Sequence, residues 1–209
     1  LDAPAQMISD RVLVPVRAIS ESFGFSVDWD EDNQKVIIKS DKDNDLQNEN
    51  TGLINLNDMT FEGSGIEING NRILITEGGE YTLTGALSGG CITVSTDEKV
   101  KLRLSGASIT SDDGPCIFVE SADKAYITVS KDTKNYLTAK NSADGAVFSK
   151  DKLEIKGSGG LEIESPEGHG IKVSDNLKIE DGNIKINAAS DGIHVNDTFN
   201  MTGGSVDIT

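Results

Sequence analysis

The chain has 209 residues, with 19 Lys and Arg against 35 Asp and Glu, a net charge of −16, 22 glycines and four prolines. That length accommodates one or two domains, and charged residues at 26% beside hydrophobics at 36% describe a folded chain, not a disordered one. The acidic surplus argues against a nucleic-acid or anionic-membrane partner, which needs clustered Lys and Arg, and no apolar run approaches the ~20 residues of a membrane-spanning helix.

Ile and Val together number 34 against 14 Leu, a β-branched excess that favours strands. Arg11 to Val16 (RVLVPV) reads as a short strand that Pro15 confines to an edge or ends. Val16, Ile19 and Phe23 then fall at helical spacing, with Gly24 placed to end the helix. Phe25 to Trp29 and Lys35 to Lys39 alternate as two strands around the turn DEDNQ. A β-α-β-β unit of about 40 residues has a small core, so it is expected to lean on a neighbour or to lack a strand cut off before Leu1. No signal peptide is visible, and a chain opening on Leu1 is compatible with one having been removed.

The run RVLVPVRAISESFGFSVDWDEDNQKVIIK resembles the copper amine oxidase N-terminal-like domain: an Arg, a Val-Pro-Val-Arg helix start, Glu and Gly at the helix end, then Val-x-Trp and a hairpin. The resemblance implies a spacer on bacterial cell-surface proteins, here residues 1–39. It does not imply copper, because this stretch has no His and its Asp residues sit in a turn. Residues 40–51 (SDKDNDLQNENT) have the polar, acidic composition of a linker.

From about Gly63 the sequence repeats itself every 22 to 31 residues, most clearly from Asp144, His169 and Asp191 and more weakly near Gly90 and Gly114. Each copy holds three short alternating strands broken by Asp- or Gly-rich turns, with no helix. That is one coil of a parallel β-helix, a three-sheet solenoid occupying residues 52–209, making the whole chain mainly β. Successive rungs lie ~4.8 Å apart, so equivalent residues stack in columns. The expected inward columns are Ile92, Ile117, Ala146, Ile171 and Ile193 on the first sheet and Leu102, Ile127, Leu153, Leu177 and Phe199 on the second. Ile109, Leu161, Ile184 and Val206 follow on the third.

Two turn columns are acidic: Asp113, Asp144, Glu167 and Asp191 before the first sheet, and Asp97, Asp123, Asp151, Asp175 and Asp197 before the second. Asp and Gly are what tight turns demand. Like charges ~5 Å apart nevertheless repel by about 1 kcal/mol even in water, so a bridging Ca²⁺, which takes oxygen ligands, is the expectation, foremost at Asp113, Asp144 and Asp191. Cys91 and Cys116, one rung apart, are read either as a stacked disulfide or as two free thiols. Absence of a CxxC motif or Cys/His cluster disfavours zinc and redox chemistry.

The outward candidates for polysaccharide contact are Lys172 and His194 on the first sheet and Lys101, Arg103 and Lys178 on the second. His194 points outward between Ile193 and Val195, and His169 sits in a turn. The same Lys and Arg residues are candidate bases for a polysaccharide lyase, which removes the proton α to a uronate carboxylate that Ca²⁺ acidifies.

The turns SDDGPCIF, ADGAVF and SDGIHV, followed by GGS or DGN, resemble a family of bacterial carbohydrate-binding β-helix proteins. The resemblance implies a right-handed parallel β-helix shaped like pectate lyases, calcium binding, and affinity for plant cell-wall polysaccharide such as cellulose or polygalacturonate, on a secreted or cell-surface protein. Asp113, Asp144 and Asp191 match its Asp-Gly turns; the His169 rung departs from them, with Glu167 two residues earlier. Aromatics at 5% leave little for a flat platform, which favours polar contacts and calcium-bridged uronates. The alternatives are a lyase on the same fold and a structural solenoid whose open end, at Val206 to Thr209, pairs between molecules.

Overall fold

The computed structural model describes residues 6–8, 11–13, 25–31, 34–40 and 50–209. The chain divides into two compact units, Leu1–Gln47 and Asn48–Thr209. In the first, Gln6–Ile8 pairs antiparallel with Arg11–Leu13, and Phe25–Asp30 pairs antiparallel with Lys35–Ser40. Gln6–Ile8 is a strand that the sequence pattern did not mark. The helix expected from Val16 to Phe23 lies outside the described residues, as does most of the polar stretch before Asn50. Trp29 is half exposed on the hairpin, whereas Val27 is buried.

The second unit is a parallel β-helix. Its first sheet has seven strands; the parallel run is Arg72–Ile75, Cys91–Ser95, Ile117–Ser121, Val147–Ser149, Ile171–Val173 and Ile193–Val195. The second and third sheets merge into one twelve-stranded sheet, because Gly79–Ser88 and Lys99–Ser111 each run through both. In Lys99–Ser111 the join is a bulge between Leu104 and Ala107, where Gly106 has φ +76°, a conformation that costs a residue without Cβ nothing. Later rungs break at this corner into separate strands, such as Lys124–Val129 and Lys134–Ala139.

Antiparallel strands, which the repeat pattern gave no reason to expect, cover the amino-terminal end. Thr51–Asn55 pairs parallel with residues 80–84 on one edge and antiparallel with Thr60–Glu62 on the other, and Ile66–Asn69 pairs antiparallel with Arg72–Ile75. The opposite end is an apolar surface lined by Ile193, Val195, Phe199, Met201, Val206 and Ile208.

The inward columns need three register corrections. On the first sheet the aligned column is Ile73, Ile92, Ile117, Val147, Ile171 and Ile193. Val147, not Ala146, holds the position, because the apolar run Ala-Val-Phe hides the alternation that the backbone then decides. On the second sheet Leu102 and Ile127 align with Ile155, Ile179 and Met201, whereas Leu153, Leu177 and Phe199 align with Val100 and Ala125. On the third, Ile109 aligns with Leu137, Ile163, Ile186 and Ile208, and Leu161, Ile184 and Val206 form the neighbouring column. These last two are shifts of two residues, which keep every side chain on the inward face. One contiguous core results, and Leu104, Val129, Ile155 and Ile179 are among its fully enclosed members.

Candidate functional site

Strand alternation on the first sheet sends the residue between each inward pair to the outside. Parallel register then stacks Leu74, Thr93, Phe118, Phe148, Lys172 and His194 in one outward column. Phe118 and Phe148 are stacked, with ring centroids 5.2 Å apart and planes 20° from parallel. The Lys150 ammonium lies 5.2 Å from the Phe118 centroid, and that of Lys172 lies 5.1 Å from the Phe148 centroid. Both rings are half-buried. A chain poor in aromatic residues therefore concentrates two of them, each with a cation over its face, on one strip.

Lys172 leans toward the preceding rung, where Asp144 takes its ammonium at 2.7 Å. On the far side of Lys172, the two histidines of the chain meet, ring centroids 4.6 Å apart. Asp191 lies between them: its Oδ2 is 2.8 Å from His194 Nδ1 and 3.3 Å from His169 Nδ1. The turn column that makes this meeting possible is tight. Gly170 and Gly192 align one residue before Ile171 and Ile193, and a Cβ on Gly170 would come within 2.2 Å of Ile186 Cγ2. Burial, reinforced by His194 and Lys172, holds the His169 imidazole below its ordinary pKa despite the pull of Asp191 and Asp144. It is therefore neutral at physiological pH.

The second sheet's outer face is committed to itself. Glu80, Lys101, Tyr126, Glu154, Lys178 and Asn200 share a column. Lys101 Nζ lies 3.1 Å from Glu80, and Arg103 Nε donates to the same carboxylate. Burial pushes the Glu80 carboxyl up, but the hydrogen bonds from Arg103 and Lys101 outweigh it and leave the group below its ordinary value. Glu154 is buried and receives Lys124 at 2.8 Å, with Lys156 and Lys178 each at 3.9 Å. Lys178 also bonds Glu180, which holds that carboxyl low. Lys101, Arg103 and Lys178 are thus each paired with a carboxylate on this face, while Lys172 and His194 lie on the aromatic strip.

The two acidic turn columns differ in alignment. Asp123, Asp151, Asp175 and Asp197 each stand two residues before register-matched positions, so they form a true ladder; Asp97 stands one residue further back. Asp151 Oδ2 accepts the Ala122 N–H at 3.0 Å, and Asp175 Oδ1 accepts from Asn176 at 2.6 Å. Asp113, Asp144, Glu167 and Asp191 occupy unequal offsets before Ile117, Val147, Ile171 and Ile193, so their carboxyl groups do not stack as one line. Asp144 and Asp191 turn instead to Lys172 and to the histidines, and Asp113 and Glu167 face solvent or its margin. Among the described residues, one group of three His, Cys, Asp or Glu ligand atoms lies within 4.8 Å of one another: His169, Asp191 and His194. Sequence reading missed this group because it needs rung register; its one signal was that both histidines fall a rung apart. Cys91 and Cys116 are free thiols: Cys116 Sγ donates to the Ile109 carbonyl at 3.4 Å, and Arg72 approaches Cys91 Sγ at 3.6 Å.

Among solved structures, the chain is similar to the gadolinium derivative of the polysaccharide lyase-like protein from C. thermocellum. The TM-score is 0.64 at 26% identity, covering 77% of this chain and 82% of that one. A carbohydrate-binding domain-containing protein of Acetivibrio thermocellus is 30% identical over 136 residues, 59% of this chain, and the match spans about half (48%) of that relative's length. The copper amine oxidase N-terminal domain model matches residues 1–76. The model of carbohydrate-binding domain-containing proteins matches residues 69–209, most of the chain and nearly all of the solenoid, and the chain belongs to that family.

Proposed function

We propose that the solenoid binds an acidic plant cell-wall polysaccharide of the polygalacturonate type, outside the cell, along the outer face of its first sheet. The observation that carries this reading is the Phe118–Phe148 pair flanked by Lys150 and Lys172. The stacked rings leave their edges to solvent as an apolar strip for the C–H groups of a pyranose, and a uronate carboxylate takes an ammonium in a charge-assisted hydrogen bond. Rungs ~4.8 Å apart offer such contacts to successive sugars. Membership of the carbohydrate-binding domain family and the likeness to the polysaccharide lyase-like protein support carbohydrate as the ligand class.

Ca²⁺ belongs to the same proposal. Asp123, Asp151, Asp175 and Asp197 stand at aligned turn positions on successive rungs and offer oxygen donors, the chemistry a hard cation selects; side-chain rotation would bring neighbouring carboxylates to one ion. There the ion would relieve repulsion between neighbouring rungs. The apolar end surface at Phe199, Met201 and Ile208 supports end-to-end association of chains as a further part of this reading, tested by size against concentration.

The deciding experiment is calorimetric titration of calcium-loaded and chelator-stripped protein with oligogalacturonate and with cello-oligosaccharide, following unsaturated-uronate absorbance in parallel. Phe148→Ala is expected to weaken oligogalacturonate binding about tenfold, the worth of one aromatic contact, with melting little changed. Unaltered binding by Phe148→Ala would refute the face assigned, and absence of binding to either sugar would refute the function. Accumulating unsaturated product would transfer the activity to a lyase.

A further inference from the structure

We propose that His169, Asp191 and His194 form a binding site for a divalent transition metal of the zinc, nickel or copper class, distinct in chemistry from the oxygen-only turns. Three features support it, none of which depends on the carbohydrate reading. The first is spacing. Two ligand atoms each ~2.0–2.2 Å from a shared ion stand about 3.0–3.6 Å apart. Asp191 Oδ2 lies 2.8 Å from His194 Nδ1 and 3.3 Å from His169 Nδ1, and all three ligand atoms lie within 4.8 Å of one another, so rotation of the exposed Asp191 and His194 side chains brings them to that spacing.

The second is an acceptor facing an acceptor. The Asp191 backbone N–H donates to His169 Nδ1 at 3.2 Å, so that nitrogen carries a lone pair and no proton. The same nitrogen faces the Asp191 carboxylate at 3.3 Å. Two lone pairs opposed at that distance repel unless a cation joins them. Neutral imidazole is also the form that ligates metal.

The third is the surrounding shape. His169 is mostly enclosed in its turn, whereas Asp191 and His194 are open on the solvent side. Three protein ligands with a free outer position is the layout of an accessible site that water or a ligand completes. Lys172, the nearest ammonium in the column, is drawn to Asp144 in the opposite direction and neutralised there. Two nitrogens and one carboxylate select the late first-row metals over calcium.

The test is titration of the full chain with ZnCl₂, NiCl₂ and CaCl₂ near neutral pH, with electron paramagnetic resonance of the Cu²⁺-loaded protein. Expected are one Zn²⁺ per chain, insensitivity to excess Ca²⁺, and nitrogen hyperfine structure from two imidazoles. His169→Ala and His194→Ala should each weaken Zn²⁺ binding at least tenfold, and binding should fall as acid protonates the imidazoles. His194 is open to solvent but His169 is mostly enclosed, so circular dichroism melts serve to confirm folding of both variants. Full Zn²⁺ affinity in the His169→Ala/His194→Ala double variant would overturn the proposal by placing the metal elsewhere. So would displacement of Zn²⁺ by Ca²⁺, or no Zn²⁺ binding by the folded wild type.

Discussion

Asn135 occupies an inward position that its neighbours fill with apolar side chains. It aligns with Leu161, and beyond that with Ile184 and Val206, yet it is fully buried and polar. Its Oδ1 accepts both the Gly106 and Ala107 N–H groups at 2.9 Å, and its Nδ2 donates to Thr133 Oγ1 at 3.0 Å and to the Gly160 carbonyl at 3.2 Å. The bulge at the sheet corner turns those two amides away from the ladder, and the side chain replaces their backbone partner. Asn57 does the same one rung earlier, where its Oδ1 accepts the Ala86 N–H at 3.0 Å.

Replacing Asn135 by Leu supplies the residue type of the next rung, so an account based on hydrophobic burial alone expects stabilisation of about 1.5–2 kcal/mol. Satisfaction of buried polar groups gives the opposite sign. The Ala107 amide is enclosed and costs about 1–3 kcal/mol when orphaned; the Gly106 amide and Gly160 carbonyl, each partly hydrated, add roughly as much again. The sum, about 2–6 kcal/mol and centred near 4, outweighs the gain from Leu and leaves a net loss of about 2 kcal/mol. With a urea slope near 2 kcal/mol per molar, the unfolding midpoint should fall by about 1 M. Hydrogen exchange should lose protection first at the Gly106 and Ala107 amides. A midpoint at or above that of wild type would refute the reasoning and show that the corner amides find water or each other.

Two further outcomes follow from ionisation and thiol state. Glu80 and Glu180 are held below the ordinary carboxylate value of 4.5, so their contribution to stability is complete above that value and is lost as pH falls through the folded-state value. Thermal melts across the acid range should show Glu80→Gln/Glu180→Gln losing less stability on acidification than wild type; equal losses would contradict the assignment. Burial pushes the Cys116 thiol up to about 12, and Cys91 is also buried, so thiol reagents should react slowly with native protein. Unfolding without reductant should release two reactive thiols per chain, and release of none would establish a disulfide instead.

Period, strand count per rung, the acidic turns and, outside the run at Ala146, the inward and outward faces were legible from the sequence by itself. Each follows from a local rule: a two-residue alternation, Gly and Asp at turns, and a repeat too short to bury its own core. Register was not legible where the local rule is silent. The run Ala146-Val147-Phe148 offers no polar residue to mark a face, and a two-residue slip, as between Leu153 and Ile155, leaves the apolar pattern unchanged. Backbone hydrogen bonds between rungs decide those cases. The candidate sites depend on register in the same way. Alternation alone put His194 and Lys172 outside, but residues far apart in the chain became neighbours only through stacking: Phe118 on Phe148, and His169 beside Asp191 and His194. The fold's class is written in short-range pattern because each strand senses its own burial; its sites are written in stacking because chemistry needs side chains from different rungs within a few ångströms.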